Sequence, residues 1–76
     1  MKSMSKGVDE MITLSYRNNN IQHFRGLSTD CTSDEEINKQ IRENSHTEPQ
    51  NGDELYCMDN GETYLHDGEN KKWLAQ

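Results

Sequence analysis

The sequence has few of the residues that ordinarily stabilise a small domain. Hydrophobic residues occupy 29% of the 76 positions, aromatic residues 7%, and there is one proline. A chain of this length buries only roughly 60% of its unfolded surface, which leaves room for one domain at most. Because a core of this size seldom contributes more than ~3–5 kcal/mol, we expect a partner subunit to add stability.

Cysteine and histidine are too sparse to predict a cross-linked or metal-bound fold. Cys31 and Cys57 are too few for a disulfide framework, and we interpret both as reduced thiols. His23, His46 and His66 do not complete the close ligand pairs that zinc sites use. The sequence therefore predicts no metal and no cofactor.

The charge is unbalanced toward acid, with 14 Asp and Glu against 8 Lys and Arg and a formal net charge of -6. A phosphate backbone requires a cationic surface, so direct nucleic-acid binding is not expected. No apolar run follows the lysines of residues 1–6, which excludes a signal peptide or membrane span from the interpretation. We expect synthesis in a cytoplasm, a flexible tail at residues 1–10, and one domain at residues 11–76.

Local patterns predict a hairpin and then a helix in the first half of the domain. Residues 11–16 alternate in the manner of a half-buried strand, and the asparagines of residues 18–20 favour a turn into a second extended segment. Ser33 followed by Glu36 has capping-box spacing, which predicts a helix from Asp34 to about Asn44. Ile37 and Ile41 give that helix a thin apolar stripe.

Asn60-Gly61 is the strongest local signal, because this pair strongly favours a two-residue type I′ turn. Such a turn sets a register with Met58 opposite Thr63 and Cys57 opposite Tyr64. A further strand carrying Trp73 would complete a β-meander over about residues 54–76. The predicted fold is α+β: a small antiparallel β-meander and hairpin module with one short helix and a flexible N-terminal tail.

The meander carries apolar groups on both faces, so one face is expected to pack inside and the other to meet a partner. Tyr56, Met58 and Leu65 share one face, and Leu55, Cys57 and Tyr64 share the other. The residues proposed for partner binding come from the helix stripe and the sheet: Ile37, Ile41, Leu55, Tyr64 and Trp73. For Tyr56, Tyr64 and Trp73 the alternatives are an exposed aromatic platform for a sugar or protein partner and the core of the small sheet, and we favour the core.

No catalytic residue is predicted. Cys57 and His66 would be diagonal neighbours on one hairpin, without the cleft, orienting group and oxyanion donor that nucleophilic catalysis needs. The acidic run of residues 34–36 suits the positive end of a helix. The chain is therefore expected not to be an enzyme.

Two longer patterns resemble those of small proteins encoded in bacteriophages and prophages. Residues 24–30 read F-R-G-L-S-T-D, and residues 51–67 read N-G-D-E-L-Y-C-M-D-N-G-E-T-Y-L-H-D, followed by Trp73. Members of that group resemble accessory virion components of the head-fibre, decoration or tail-associated kind. The similarity covers roughly the last two-thirds of the chain, which departs from the pattern in the helix-like insert at residues 33–44 and in Asp53, where serine is common.

The resemblance implies a non-enzymatic virion accessory protein that binds a capsid, fibre or tail component. The implied location is the virion, after synthesis in the bacterial host cytoplasm, and we expect a homo-oligomer with no membrane partner. The alternative is a small acidic phage effector that inhibits a host nucleic-acid-binding protein. That effector would act through six carboxylates, those of Asp34, Glu35, Glu36, Glu43, Asp59 and Glu62.

Overall fold

The computed structural model describes residues 12–76, and the predicted tail of residues 1–10 lies outside that part of the chain. A 3-10 turn at Ser28–Asp30 precedes the helix α1, Asp34–Ser45. The strands are β1 (Thr13–Asn18), β2 (Ile21–Gly26), β3 (Glu54–Cys57), β4 (Thr63–Asp67) and β5 (Lys72–Ala75). The described chain is thus α+β, as predicted.

The strands form one sheet in chain order, β1-β2-β3-β4-β5. Neighbours are antiparallel except β2 and β3, which run parallel. The sheet is therefore mixed, which corrects the prediction of an antiparallel module. Parallel neighbours need a crossover connection, and α1 with its flanking loops supplies it. The helical insert joins the N-terminal hairpin to the C-terminal meander.

The N-terminal hairpin is confirmed, and its turn consists of Asn19 and Asn20. These residues have φ angles of 54° and 69°, and the flanking residues Asn18 and Ile21 pair across the turn. Positive φ at both central positions is the geometry of a type I′ turn, whose twist matches that of the strands. Asparagine tolerates this region better than most residues.

The hairpin of β3 and β4 is present, but its register differs by two residues from the prediction. Tyr64 lies opposite Leu55 instead of Cys57. Gly61 has a φ of 78°, whereas Asn60 is not among the described residues with positive φ, so the predicted type I′ turn is wrong. A shift of two residues preserves the side-chain alternation, and each strand residue keeps its face.

Contacts with the loop after β2 explain the wider turn. The Met58 amide donates a 2.9 Å hydrogen bond to the Gly26 carbonyl, which continues the β2–β3 pairing beyond β3. Asp59 accepts hydrogen bonds from the hydroxyl of Ser28 at 2.6 Å and from its amide at 3.0 Å. These hydrogen bonds lower the pKa of the Asp59 carboxyl. Residues 58 and 59 are thus hydrogen-bonded to the end of β2 and the loop after it. They cannot extend the antiparallel pairing of β3 with β4.

Helix α1 begins at the predicted residue for the predicted reason. The Ser33 hydroxyl accepts a 3.1 Å hydrogen bond from the Glu36 amide. The Glu36 carboxylate accepts a hydrogen bond from Gln40 at 2.7 Å, so the reciprocal half of the capping box is not used. The helix ends at His46, whose φ of 55° places it in the left-handed conformation of a C-terminal cap.

The hydrophobic core lies between α1 and one face of the sheet. Ile37 and Ile41 of the helix are buried, and Phe24 and Trp73 meet edge to face with ring centroids 6.4 Å apart. The Trp73 indole donates a 2.8 Å hydrogen bond to the Asn38 side chain. The buried cluster comprises Ile12, Phe24, Ile37, Ile41, Leu55 and Trp73, with Leu14, Cys31 and Tyr64 packed against it.

A buried carboxylate connects the two halves of the sheet. Asp53, which is fully buried, accepts hydrogen bonds from the Gln22 amide at 2.9 Å and the Gln22 side chain at 2.8 Å. The Gln50 amide donates a third hydrogen bond at 2.7 Å. The start of β2, the loop before β3 and β3 itself therefore meet at this one side chain.

His66 of β4 is another buried polar residue. Its ring lies 4.5 Å from that of Trp73, and its buried Nδ1 atom has no hydrogen-bond partner within residues 12–76. Burial lowers the pKa of His66 below its ordinary 6.5, against the smaller opposing effects of Asp53, Asp34 and Asp67. The folded protein thus favours the neutral imidazole.

Stability should consequently fall on acidification in a way that depends on His66. Between its folded pKa and 6.5 the unfolded chain binds more protons, so the free energy of unfolding decreases as pH falls through 6.5. Urea unfolding at about pH 7.5 and about pH 5.5 should show a larger loss for the wild type than for His66→Phe. Equal losses in the two proteins would mean that His66 does not contribute.

Candidate functional site

The sheet has one covered face and one open face. Strand alternation directs Phe24, Leu55 and Trp73 toward α1, where all three are buried. The intervening residues lie on the opposite face, which no described element covers. Large hydrophobic side chains that remain about half exposed lie on or beside this open face: Tyr16, Tyr56, Met58 and Leu74.

The strand register aligns one row of side chains across all five strands of the open face. A bulge in β1 shifts the pairing between Leu14 and Tyr16 and places Tyr16 opposite His23. The Tyr16 and His23 rings stack with centroids 4.2 Å apart and an interplanar angle of 7°. The row consists of Tyr16, His23, Glu54, Leu65 and Leu74.

His23 and Glu54 form the polar centre of this row. The His23 Nδ1 atom lies 3.0 Å from a Glu54 carboxylate oxygen, and the Glu54 side chain is 43% exposed. The contact holds the imidazole in place beneath the Tyr16 ring. It joins β2 to β3 across their parallel pairing.

A second row beside the first completes a groove of about 370 Å³. Arg25 pairs with Tyr56, and Tyr56 pairs with Thr63. Arg25 is exposed and has no ion pair within residues 12–76. The groove lies between β1, β2, β3 and β4 and is lined by Ser15, Tyr16, His23, Phe24, Arg25, Glu54, Tyr56 and Thr63.

The open face is close to electrically neutral although the chain is acidic. In the two rows the charged side chains are Glu54 and Arg25, which cancel when His23 is neutral. The chain as a whole carries a formal net charge of -6, so the excess acid lies away from these rows. An exposed aromatic surface with a few charged groups and little net charge is suited to contact with another protein.

Side chains of helix α1 also occupy one backbone amide at each edge of the described sheet. At the β5 edge, the Asp34 carboxylate accepts a 2.8 Å hydrogen bond from the Trp73 amide. Near the β1 edge, the Ser45 hydroxyl accepts a 2.8 Å hydrogen bond from the Leu14 amide. Such groups are the ones an added strand would pair with, so these positions are closed to strand addition. The open face is left as the accessible surface of the sheet.

The residues predicted for partner binding lie elsewhere. Ile37, Ile41, Leu55 and Trp73 are buried in the core, and Tyr64 packs against it. None of them lies on the open face, so the face opposite to the predicted one is exposed. The sequence already indicated that the meander has two distinct faces. It also indicated that the isoleucine stripe of α1 must cover one of them.

Four of the six carboxylates in the acidic alternative accept hydrogen bonds, and Glu62 does so from the Tyr64 hydroxyl at 3.2 Å. Asp34 binds the Trp73 amide, Glu36 binds Gln40, and Asp59 binds Ser28. Glu35 and Glu43 are exposed on the helix. These two residues are the best probes of an acidic recognition surface.

The residues that carry the phage resemblance occupy structural positions. A Cβ atom at Gly26 would lie 2.7 Å from a side-chain carbon of Ile12, so the first pattern needs glycine there. Ser28 of the first pattern binds Asp59 of the second. A hydrogen bond thus joins the two patterns, and the fold explains why they stand at this separation in the sequence.

No family model matches the chain, and no curated protein or solved structure is significantly similar to it. Within residues 12–76 there is no group of three or more His, Cys, Asp or Glu side chains arranged to hold a metal ion. In the same residues no helix is long and apolar enough to cross a membrane.

Proposed function

We propose that this chain is a non-enzymatic accessory component of a phage virion that binds a capsid, fibre or tail protein. The observation that carries the proposal is the open sheet face, where the row from Tyr16 to Leu74 presents half-exposed apolar groups around the His23–Glu54 pair. Because α1 occupies a backbone amide at each edge, we expect the partner to contact this face rather than to add a strand. The phage context comes from the resemblance of residues 24–30 and 51–67.

Self-association through the same face is part of the proposal. The rows are nearly neutral, so the chain's net charge of -6 does not concentrate where two copies would meet. A domain this small gains stability from such contacts. The protein would be made in the bacterial cytoplasm and reside in the virion.

Affinity capture tests the proposal with two matched double variants. Tyr16→Ser with Tyr56→Ser removes the exposed aromatic groups of the open face, and Glu35→Gln with Glu43→Gln changes only exposed helix charges. Tagged proteins would be incubated at low and moderate salt with lysate of cells producing the phage, and bound proteins identified by mass spectrometry. The tyrosine variant should bind a virion protein at least about tenfold more weakly, because exposed aromatic anchors dominate interface energies.

The opposite pattern would favour the inhibitor. Recovery of a host nucleic-acid-binding protein that is released by moderate salt and lost with the glutamate variant would overturn the virion proposal. If the wild type and both double variants captured a virion protein equally, the contact would lie outside the open face. Circular dichroism of each variant verifies that the fold is retained.

A further inference from the structure

Two cysteines that are distant in sequence meet at the base of the crossover connection. The Sγ atoms of Cys31 and Cys57 lie 3.7 Å apart, in direct contact. Cys31 follows the 3-10 turn that Ser28 and Asp59 hold against the β3–β4 loop, and Cys57 is the last residue of β3. Each thiol is positioned by structure around it, so the contact is a property of the fold.

We propose that Cys31 and Cys57 form a modification site, at which a low-molecular-weight disulfide such as oxidised glutathione converts the two thiols into an intramolecular disulfide. A disulfide bond is about 2.05 Å long, so the sulfur atoms need to approach by about 1.7 Å. Small rotations of both side chains share that movement. The proposal does not depend on the proposed virion function.

The difference in exposure between the two thiols sets the order of the steps. Cys31 is partly exposed and Cys57 is buried, so the Cys31 thiolate attacks the oxidised glutathione first. That step forms a mixed disulfide and releases one glutathione thiolate, which takes up a proton. The Cys57 thiolate then attacks the Cys31 sulfur and displaces the second glutathione. Two protein thiols are oxidised, and one glutathione disulfide is reduced to two thiols.

Burial slows the first step at neutral pH. Burial, the neighbouring Cys57 thiol and the carboxylates of Asp30 and Asp59 raise the pKa of Cys31 to about 12. Burial also raises the pKa of Cys57. Thiolate is the reacting species, so oxidation in a reducing cytoplasm is disfavoured both by the glutathione pool and by rate.

The disulfide would enclose α1 in a covalent loop between residues 31 and 57 and join the start of the crossover connection to the last residue of β3. Closing a loop of this length restricts the unfolded chain more than the folded one. The oxidised protein should therefore melt at a temperature higher by roughly 10 °C or more than the reduced protein.

The test treats the folded full-length protein with oxidised glutathione at about pH 8.5, where the reactive thiolate fraction is larger than at neutral pH. Intact mass, titratable thiols and the melting temperature are measured on the product. We expect one monomeric species that has lost two hydrogen atoms, has no free thiol and melts higher. Cys57→Ala should instead accumulate a glutathione adduct on Cys31, whereas Cys31→Ala should stay unmodified because its remaining thiol is buried.

Several outcomes would overturn the proposal. Persistent glutathione adducts on the wild type, cross-linked dimers, or a lower melting temperature after oxidation would each show that the pair does not close within one chain. Free thiols that survive in the folded protein, while the chain in urea is oxidised, would show that the folded protein does not undergo the proposed oxidation. The urea control also verifies that the reagent is active.

Discussion

Replacing Asp53 by Ala is expected to remove most of the free energy of unfolding. The carboxylate is fully buried and accepts three hydrogen bonds, two from Gln22 and one from the Gln50 amide. Its removal leaves buried donors without partners, and each such donor costs about 1–3 kcal/mol. A total loss of at least about 3 kcal/mol equals most of what a core of this size contributes.

Urea unfolding followed by circular dichroism measures the effect, and Asp59→Ala is the matched control. Asp59 also accepts hydrogen bonds from an amide and a hydroxyl, both on Ser28, but it is exposed, so water can replace it. The control should shift the unfolding midpoint by clearly less. Comparable shifts in the two variants would show that burial does not increase the contribution of the Asp53 hydrogen bonds to stability.

Trp73→Ala should lower the free energy of unfolding by about 3–5 kcal/mol, the usual cost of deleting a buried tryptophan. The ring is 6% exposed, packs on Phe24 and leaves Asn38 without its indole donor when removed. Thermal unfolding monitored by circular dichroism checks this, because the variant has no tryptophan fluorescence.

Leu74→Ala, one residue further along β5, is the control for Trp73. Leu74 is 48% exposed on the open face, so its truncation should change stability by no more than about 0.5 kcal/mol. The same variant is expected to weaken partner binding. If both variants unfolded at the same temperature, Trp73 would not be part of the core.

The features of the fold that depend on neighbouring residues could be predicted from the sequence. The Ser33 cap and the acidic first turn determine where α1 begins, and both act within one helical turn. The meander over residues 54–76 follows from turn residues between short apolar segments. The N-terminal hairpin likewise needs only Asn19 and Asn20 to adopt positive φ.

The β3–β4 register could not be predicted in this way, because a distant loop decides it. Asn60-Gly61 favours a tight turn, but Met58 pairs with Gly26 and Asp59 pairs with Ser28. These partners lie about thirty positions earlier in the chain, and no pattern near the turn reveals them. Long-range hydrogen bonds therefore overrode the local turn preference.

The candidate site shows the same division between local and tertiary information. The sequence by itself determined the helix, the strands and the two sets of side chains on each strand, because periodicity and turn chemistry are local properties. Only the tertiary structure decided the parallel pairing of β2 with β3, and which set of side chains α1 covers. It therefore also decided that Leu55 is core and Tyr56 is exposed, because that outcome depends on where the helix packs.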